Sequence, residues 1–169
     1  LVAAVALSII EVVARGARPN DAVLGFVPRL DRYGDVRFHR SAQVDAGVVV
    51  YRLDDRLFFA NAEYVVGRIN EAIAGAATDT RYLVFDAERV PGIDVTAIEM
   101  LDRLIRDLRA RGIDFIVARA SRDVVAALER SAVLDAGDEG RVFPTVHAAV
   151  ASCRDRATSP ESGDDPVGA

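Results

Sequence analysis

The sequence predicts an α/β domain in which helices pack against a largely parallel β-sheet. Short apolar runs rich in β-branched residues alternate along the chain with longer segments whose apolar residues recur at helical spacing. Its 169 residues are 51% hydrophobic and 28% charged, with a net charge of −5, which is typical of one soluble globular domain. Strands that alternate with helices pair in parallel through right-handed crossovers.

The predicted strands are short apolar runs bounded by turn residues. The run Tyr82–Phe85 (YLVF) is apolar throughout, which is typical of a strand covered on both faces. Asp54 and Asp55 separate the first two predicted strands. The other predicted strands are Val48–Leu53 (VVVYRL), Leu57–Ala60 (LFFA), Ile113–Ala118 (IDFIVA) and a short edge strand at Arg141–Phe143.

Four helices are predicted from apolar periodicity and from capping residues at their ends. The clearest carries Ile98, Leu101, Ile105 and Leu108 on one face and ends at Gly112. The other three are predicted to begin at the N-caps Asn61 (ending at Gly75) and Ser121, and at Thr145, with Cys153 as a core residue of the last one.

The two ends of the chain differ from the middle. The apolar segment Leu1–Val13 is shorter than the roughly 20 residues that cross a bilayer, so we expect residues 1–18 to be the end of a longer membrane helix. Arg15 and Arg18 then place the following chain on the cytoplasmic side. An ordinary core helix is the alternative. We expect residues 19–47 to be a linker and first strand region, 48–155 the folded unit and 156–169 a disordered tail.

The composition excludes several function classes. The chain contains no lysine, which excludes Schiff-base catalysis and a G-x-x-x-x-G-K-[ST] phosphate loop. Its single cysteine excludes an internal disulfide and a cysteine-ligated zinc site. An acidic chain without a basic block is a poor ligand for nucleic acid. No dinucleotide motif and no Ser/His/Asp set is indicated, so we expect neither a catalytic residue nor a metal site.

Ligands of such sheets bind at the carboxyl ends of the strands, which selects three loops: Ala60–Glu63, Asp86–Thr96 and Arg119–Asp123. In the middle loop, Asp86 and Asp94 are a candidate carboxylate pair for Mg²⁺ or for acid and base catalysis.

Helix capping is the competing interpretation of the middle loop. Thr96 and Glu99 have the spacing of a capping box, and Asp94 is equally able to cap the same helix. Our hypothesis is that Thr96 acts mainly as a cap.

Several motifs resemble one family. The run Leu57–Glu63 (LFFANAE), preceded by Val48–Arg52 (VVVYR), resembles two strands of the STAS domain at the cytoplasmic end of SulP-type sulfate permeases. The segment from Arg18-Pro19 through Val27-Pro28 to Tyr33 and Asp35-Val36 resembles the linker from the last membrane helix of those transporters to the domain. Ile93–Thr96 resembles the D-x-[ST] segment that opens the regulatory helix of STAS domains. The resemblance runs from about Arg15 to Cys153 and implies a STAS fold, with an antiparallel strand near its start.

The resemblance implies a regulatory and assembly module of a bacterial SulP-type sulfate or anion transporter, on the cytoplasmic face of the membrane. Its partners would be the membrane portion of the same protein and a regulatory protein or kinase. The alternative is a free-standing anti-sigma factor antagonist, in which the residue corresponding to Thr96 is phosphorylated. A small enzyme, such as a nucleotide hydrolase, is disfavoured because no catalytic set is present.

The family resemblance also implies a regulatory nucleotide, GTP, GDP or ATP, although no cofactor is required. Without lysine, such a site would use loop amides, helix N-termini and arginine. A phosphate on Thr96 would be favoured by the helix dipole and opposed by Asp94 and Glu99. The nucleotide-binding candidates are Asn61, Asp86, Arg89, Asp94, Thr96, Arg119 and Ser121, and Thr96 and Asp94 are the regulatory candidates.

Overall fold

The computed structural model describes residues 16–131, 133–134 and 141–158, together with Val5, Ser8 and Glu11. Most of residues 1–18, which were predicted to be the end of a membrane helix, lie outside the described residues. Residues 159–169 of the predicted tail also lie outside them. Within the described part, no helix has the length and apolar character that a membrane crossing needs.

A six-stranded sheet forms the centre of the domain in the order β2-β1-β3-β4-β5-β6. Strand β1 pairs antiparallel with β2 and β3, whereas β3, β4, β5 and β6 pair in parallel. The predicted, mostly parallel sheet with an antiparallel start is confirmed. The strands are β1 (Asp21–Val27), β2 (Arg32–Asp35), β3 (Val48–Leu53), β4 (Tyr82–Asp86), β5 (Asp114–Ala118) and β6 (Val142–Phe143).

In the part of the chain from residue 19 that the structure describes, four α-helices cover the two faces of the sheet, at the predicted positions. The first three share one apolar cluster, and the fourth packs on the opposite face. Cys153 is fully buried on that opposite face, which confirms it as a core residue. The fourth helix continues three residues past 155, into the predicted tail. The helices are α1 (Ala62–Ala74), α2 (Val95–Ala110), α3 (Arg122–Arg130) and α4 (Val146–Thr158).

The run Leu57–Ala60, predicted as a strand, is a turn. Only Leu57 makes a β-bridge, to Ile93, and the chain then turns into α1. The strand prediction was wrong because the aromatic residues of the run do not line one apolar face: Phe59 is 60% exposed. Its neighbour Phe58 packs edge-on against it, with ring centroids 5.5 Å apart.

Residues 19–47 contain a complete β-hairpin, β1–β2, rather than one strand and a linker. The chain that follows β2 crosses back over β1, so that Gln43 bridges to Phe26. Glycine permits this close crossing, since a Cβ on Gly25 would lie 3.0 Å from both the Ala42 Cβ and the Gln43 carbonyl oxygen. The segment 19–47, part of which was predicted to be a linker, therefore contains two strands that complete the sheet.

Candidate functional site at the carboxyl edge of the sheet

The chain just before the predicted loop Ala60–Glu63 is hydrogen-bonded to the predicted loop Asp86–Thr96 at the carboxyl edge of β3 and β4. The Leu57 amide donates to the Gly92 carbonyl at 3.2 Å, and the Asp94 amide donates to the Leu57 carbonyl at 3.1 Å. The chain after β3 is thus fixed beside the start of α2. This contact brings the Ala60–Glu63 loop next to the end of the Asp86–Thr96 loop.

Asp94 is the N-cap of α2. Its Oδ1 accepts a hydrogen bond from the Ala97 amide at 2.8 Å, and its Oδ2 accepts one from the Phe59 amide at 3.0 Å. Thr96 lies exposed in the first turn of the helix, so our hypothesis that Thr96 is mainly a cap was wrong. The helix begins at Val95, which leaves only Asp94 in the extended backbone conformation that a cap requires.

Asn61 occupies the N-cap position of α1, but its side chain turns back into the preceding loop. Its Oδ1 accepts from the Phe58 amide at 2.9 Å, and its Nδ2 donates to the carbonyls of Arg56 and Gly16, at 2.8 and 3.1 Å. The predicted capping hydrogen bond is not made. The fully buried Asn61 amide instead holds the turn and the entering chain together.

The fully buried carboxylate of Asp86 pairs with the partly exposed guanidinium of Arg119 between the ends of β4 and β5. Arg119 Nε lies 2.9 Å from Asp86 Oδ1, and its Nη2 lies 2.5 Å from Oδ2. The Glu88 carboxylate accepts from the same guanidinium at 2.8 Å. Hydrogen bonding to Asp86 raises the pKa of Arg119, although burial opposes the shift. Arg119 is therefore charged and held in place.

The remaining nucleotide candidates lie at the surface. Arg89 is 62% exposed and lies 3.8 Å from the Asp54 carboxylate. Ser121 caps α3 as predicted, with its Oγ accepting from the Val124 amide at 3.3 Å. With Thr96, these residues are accessible to a ligand, whereas Asn61 and Asp86 lie beneath the surface. The role of all seven residues in nucleotide binding stays a prediction.

The two carboxylates proposed as a metal or acid–base pair are each bonded to other groups. Asp86 is neutralised by Arg119, and Asp94 accepts two backbone hydrogen bonds. Among the described residues there is no group of three or more His, Cys, Asp or Glu side chains arranged to hold a metal ion.

A charged network at the same edge was missed by the sequence analysis. The nearly buried Asp21 carboxylate accepts from Tyr51 Oη at 2.9 Å and from Arg68 Nε at 2.8 Å. Arg37 binds the Asp35 carboxylate and the Asp21 carbonyl. Burial, followed by the Asp21 charge and hydrogen bond, raises the pKa of Tyr51. The sequence signal that could have indicated this network was Asp21, an acidic residue at the start of an otherwise apolar run.

An open cleft lies at the opposite edge of the sheet, where the sequence predicted no ligand-binding loop. It measures about 930 Å³ and is lined by Thr78, Asp79, Arg81 and Arg111, among others. None of the seven candidate residues lines it.

Comparison with known proteins identifies the family. Residues 39–149 match the model of the STAS domain. The chain belongs to the STAS domain family. This membership confirms the resemblance seen in the sequence. The STAS chain is also 38% identical, over 156 residues, to a probable sulfate transporter of Mycobacterium tuberculosis strain H37Rv, covering 92% of this chain and 28% of that protein. It spans about a quarter of the length of the curated relatives it matches.

Solved structures share the STAS fold. The murine anion transporter Slc26a9 matches with a TM-score of 0.79 at 23% identity, over 89% of this chain and 24% of that one. The SulP transporter STAS domain of Vibrio cholerae matches with a TM-score of 0.56 at 22% identity, over 72% and 92% of the two chains. The anti-sigma factor antagonist SpoIIAA matches with a TM-score of 0.52 at 22% identity, over 70% and 96%. At these identities the likeness is one of fold.

Proposed function

We propose that this STAS domain is the cytoplasmic, C-terminal regulatory and assembly module of a bacterial SulP-type sulfate or anion transporter. It would carry no transport chemistry and no enzymatic activity of its own. The observation that carries the proposal is the 38% identity to a probable sulfate transporter over nearly the whole chain. The antagonist SpoIIAA shares the fold over 70% of this chain at 22% identity, whereas the probable sulfate transporter matches 92% of this chain at 38% identity.

The way the chain reaches the sheet supports this proposal. Gly16 contacts the carboxyl edge through its carbonyl, which accepts from Asn61, and through close packing on Phe58. The apolar segment Leu1–Val13 directly precedes that contact in the sequence. A membrane helix ending there would deliver the domain with its carboxyl edge toward the preceding segment.

The test uses the full-length gene product, with and without residues 19–158, in bacteria that lack their own sulfate uptake. We expect both forms in the membrane fraction and a severalfold lower uptake of radiolabelled sulfate without the domain, at equal protein level. A gene product found in the soluble fraction, or uptake that is unchanged by the deletion, would contradict the proposal.

Regulation by nucleotide is the finer part of the proposal. Exposed Thr96 and Ser121 lie at the N-termini of α2 and α3, which favour anionic groups, and exposed Arg89 lies in the loop between β4 and α2. Calorimetry of the domain with GTP, GDP and ATP tests it, and Arg89→Ala is expected to weaken the binding. The absence of heat, together with unchanged amide chemical shifts in these loops, would remove the nucleotide from the proposal.

Phosphorylation of Thr96 is a second regulatory proposal. The hydroxyl is exposed and is not needed for capping, so a kinase can reach it without unwinding α2. The added charge of about −2 would lie beside the Asp94 carboxylate, changing the surface rather than the helix end. Intact-mass analysis of protein from cells tests the modification, and an unmodified Thr96 under all growth conditions would exclude it.

A further inference from the structure

Two arginines line the open cleft at the edge of the sheet where the parallel strands begin, which we call the amino edge. Arg81 directly precedes β4, and Arg111 lies between the end of α2 and the start of β5. Both side chains are exposed, and both border the same cleft of about 930 Å³. Guanidinium groups bind oxyanions through a positive charge and paired N–H donors. The cleft therefore offers the groups that an anion needs.

The Arg81 side chain is held in position and has no counter-ion. Its amide donates to the Gly47 carbonyl at 2.8 Å, and its carbonyl accepts from the Asp114 amide at 2.9 Å. The side chain lies over Gly47, where an added Cβ would be 3.3 Å from Arg81 Nε. Among the described residues, no carboxylate forms an ion pair with Arg81. Its guanidinium donors are thus available to a ligand.

Arg111 uses only one of its nitrogen atoms in contacts with the protein. Its Nη1 donates to Asn70 Oδ1 at 3.1 Å and to Asp107 Oδ2 at 3.3 Å. Within the described part of the chain, Arg111 Nε and Nη2 donate to no acceptor. These contacts fix the side chain between α1 and α2 and leave the other nitrogen atoms to the cleft.

The Thr80 hydroxyl is a buried group without a hydrogen-bond partner. Thr80 lines the same cleft, and its Oγ1 bonds to none of the residues that the structure describes. The amides of residues 77–80 likewise have no acceptor in that part of the chain. A buried polar atom that lacks a partner is uncommon, and a bound ion or water is a usual reason for one. An acceptor in the cleft would satisfy these donors.

The remaining charges at the cleft favour a compact anion over an extended one. The Asp79 carboxylate also lines the cleft, and α1 and α2 both end there with the negative ends of their dipoles. A polyanion such as a nucleic acid or an acidic peptide would have to lie along these groups and would be repelled. A single tetrahedral ion is small enough to contact the arginines alone.

We propose that the cleft at the amino edge binds a small tetrahedral oxyanion, sulfate or phosphate. Arg81 and Arg111 supply the positive charge and N–H donors, and Thr80 donates its hydroxyl hydrogen. The nucleotide candidates lie at the carboxyl edge, so this site is separate from theirs. The inference does not depend on the proposed function.

Calorimetry of the 169-residue chain with sodium sulfate and with sodium phosphate tests the site, and sodium chloride keeps the ionic strength constant. We expect saturable binding of one ion per chain, and the anion that binds more tightly is the one the cleft selects. Arg81→Gln should weaken this binding by about tenfold, because charge-assisted hydrogen bonds are lost.

The variant Arg103→Gln is the matched control for Arg81→Gln. It removes the same charge from an exposed position on α2 outside the cleft, and it should change the affinity by less than about twofold. Equal weakening in the two variants would show a general effect of net charge and would overturn the inference. Saturable binding of neither anion would also overturn it.

Amide chemical shifts locate the bound anion. We expect sulfate or phosphate to shift the amides of residues 77–81 and 111–113 and to leave the N-termini of α2 and α3 unchanged. Thr80→Val keeps the side-chain shape and should weaken binding severalfold without lowering the free energy of unfolding, because the hydroxyl has no partner to lose. Shifts confined to the carboxyl edge, or a Thr80→Val variant that binds as the wild type does, would overturn the site as proposed.

Discussion

Arg119 binds the fully buried carboxylate of Asp86 from a left-handed backbone conformation, with φ at 57°. Such a conformation costs a non-glycine residue about 1–2 kcal/mol. Its amide donates to the Phe143 carbonyl at 2.9 Å, which holds the backbone in place. The ion pair and the strained turn therefore support each other at the junction of β4, β5 and β6.

Removing the guanidinium should leave the buried Asp86 carboxylate with only the hydrogen bond from the Glu88 amide. We expect Arg119→Gln to lower the free energy of unfolding by about 3 kcal/mol, since breaking a buried pair on one side is costly. Arg89→Gln is the matched control, because Arg89 is exposed on the same edge, and it should change stability by less than about 0.5 kcal/mol. Urea unfolding measures both. Similar losses in the two variants would mean that the Asp86 pair has no special role.

Asp94 and Thr96 can be distinguished as caps by alanine substitution. Asp94→Ala should cost about 1 kcal/mol of stability, because the Ala97 and Phe59 amides lose their acceptor. Thr96→Ala should cost less than about 0.5 kcal/mol, because Thr96 is exposed. Thermal unfolding and hydrogen exchange at the Phe59 amide report the difference. Equal costs would contradict the assignment of Asp94 as the cap.

Two glycines should respond to alanine in opposite directions. Gly67 lies within α1 with no atom within 4 Å of an added Cβ, so Gly67→Ala should raise stability by about 0.5–1 kcal/mol through helix propensity. Gly25→Ala should lower it by about 1–3 kcal/mol, because the new methyl group meets the backbone of the crossing segment. Urea midpoints test the pair, and a neutral Gly25→Ala would show that the segment can move away.

Stability should fall at alkaline pH because of Cys153. Burial raises the pKa of its thiol to about 11, whereas an unfolded thiol titrates near 8.5. Between these values the native state keeps a proton that the unfolded chain has lost. The contribution is complete below about pH 8.5 and is lost as pH rises toward 11, by at most about 1.4 kcal/mol per unit.

The variant Cys153→Ala provides the control for this slope. Tyr33, whose pKa is raised to about 12 chiefly by burial, contributes mainly above pH 10, outside the range compared. We expect the free energy of unfolding of the wild type to fall more steeply than that of the variant between about pH 8 and pH 10. Parallel slopes would show that the thiol loses its proton as readily in the native state.

The helices and the parallel strands could be predicted because their signals are local. Ile98, Leu101, Ile105 and Leu108 repeat at helical spacing, and all four face the core. Ser121 caps α3 through a bond to a residue only three positions away. Such patterns depend only on residues that are close together in the sequence, so the sequence alone predicts them.

The site depends on contacts between distant residues, and these could not be predicted. Asp94 and Phe59 are 35 residues apart, and Asp21 and Arg68 are 47 apart. Thr96 has the spacing of a capping box, but the helix starts at Val95, directly after Asp94, and the Asp94 carboxylate also accepts from the distant Phe59 amide. No property of Thr96 itself reveals that choice.

The contact between Asn61 and Gly16 limits how the domain can turn. The side-chain amide of Asn61 donates hydrogen bonds to the Gly16 carbonyl and to the Arg56 carbonyl. Gly16 also lies close to the Phe58 ring. The sheet cannot swivel about residue 16 without breaking this hydrogen bond and lifting the backbone off the ring. Torque on the chain before that point would therefore act first on this hydrogen bond and on the contact between Gly16 and the Phe58 ring.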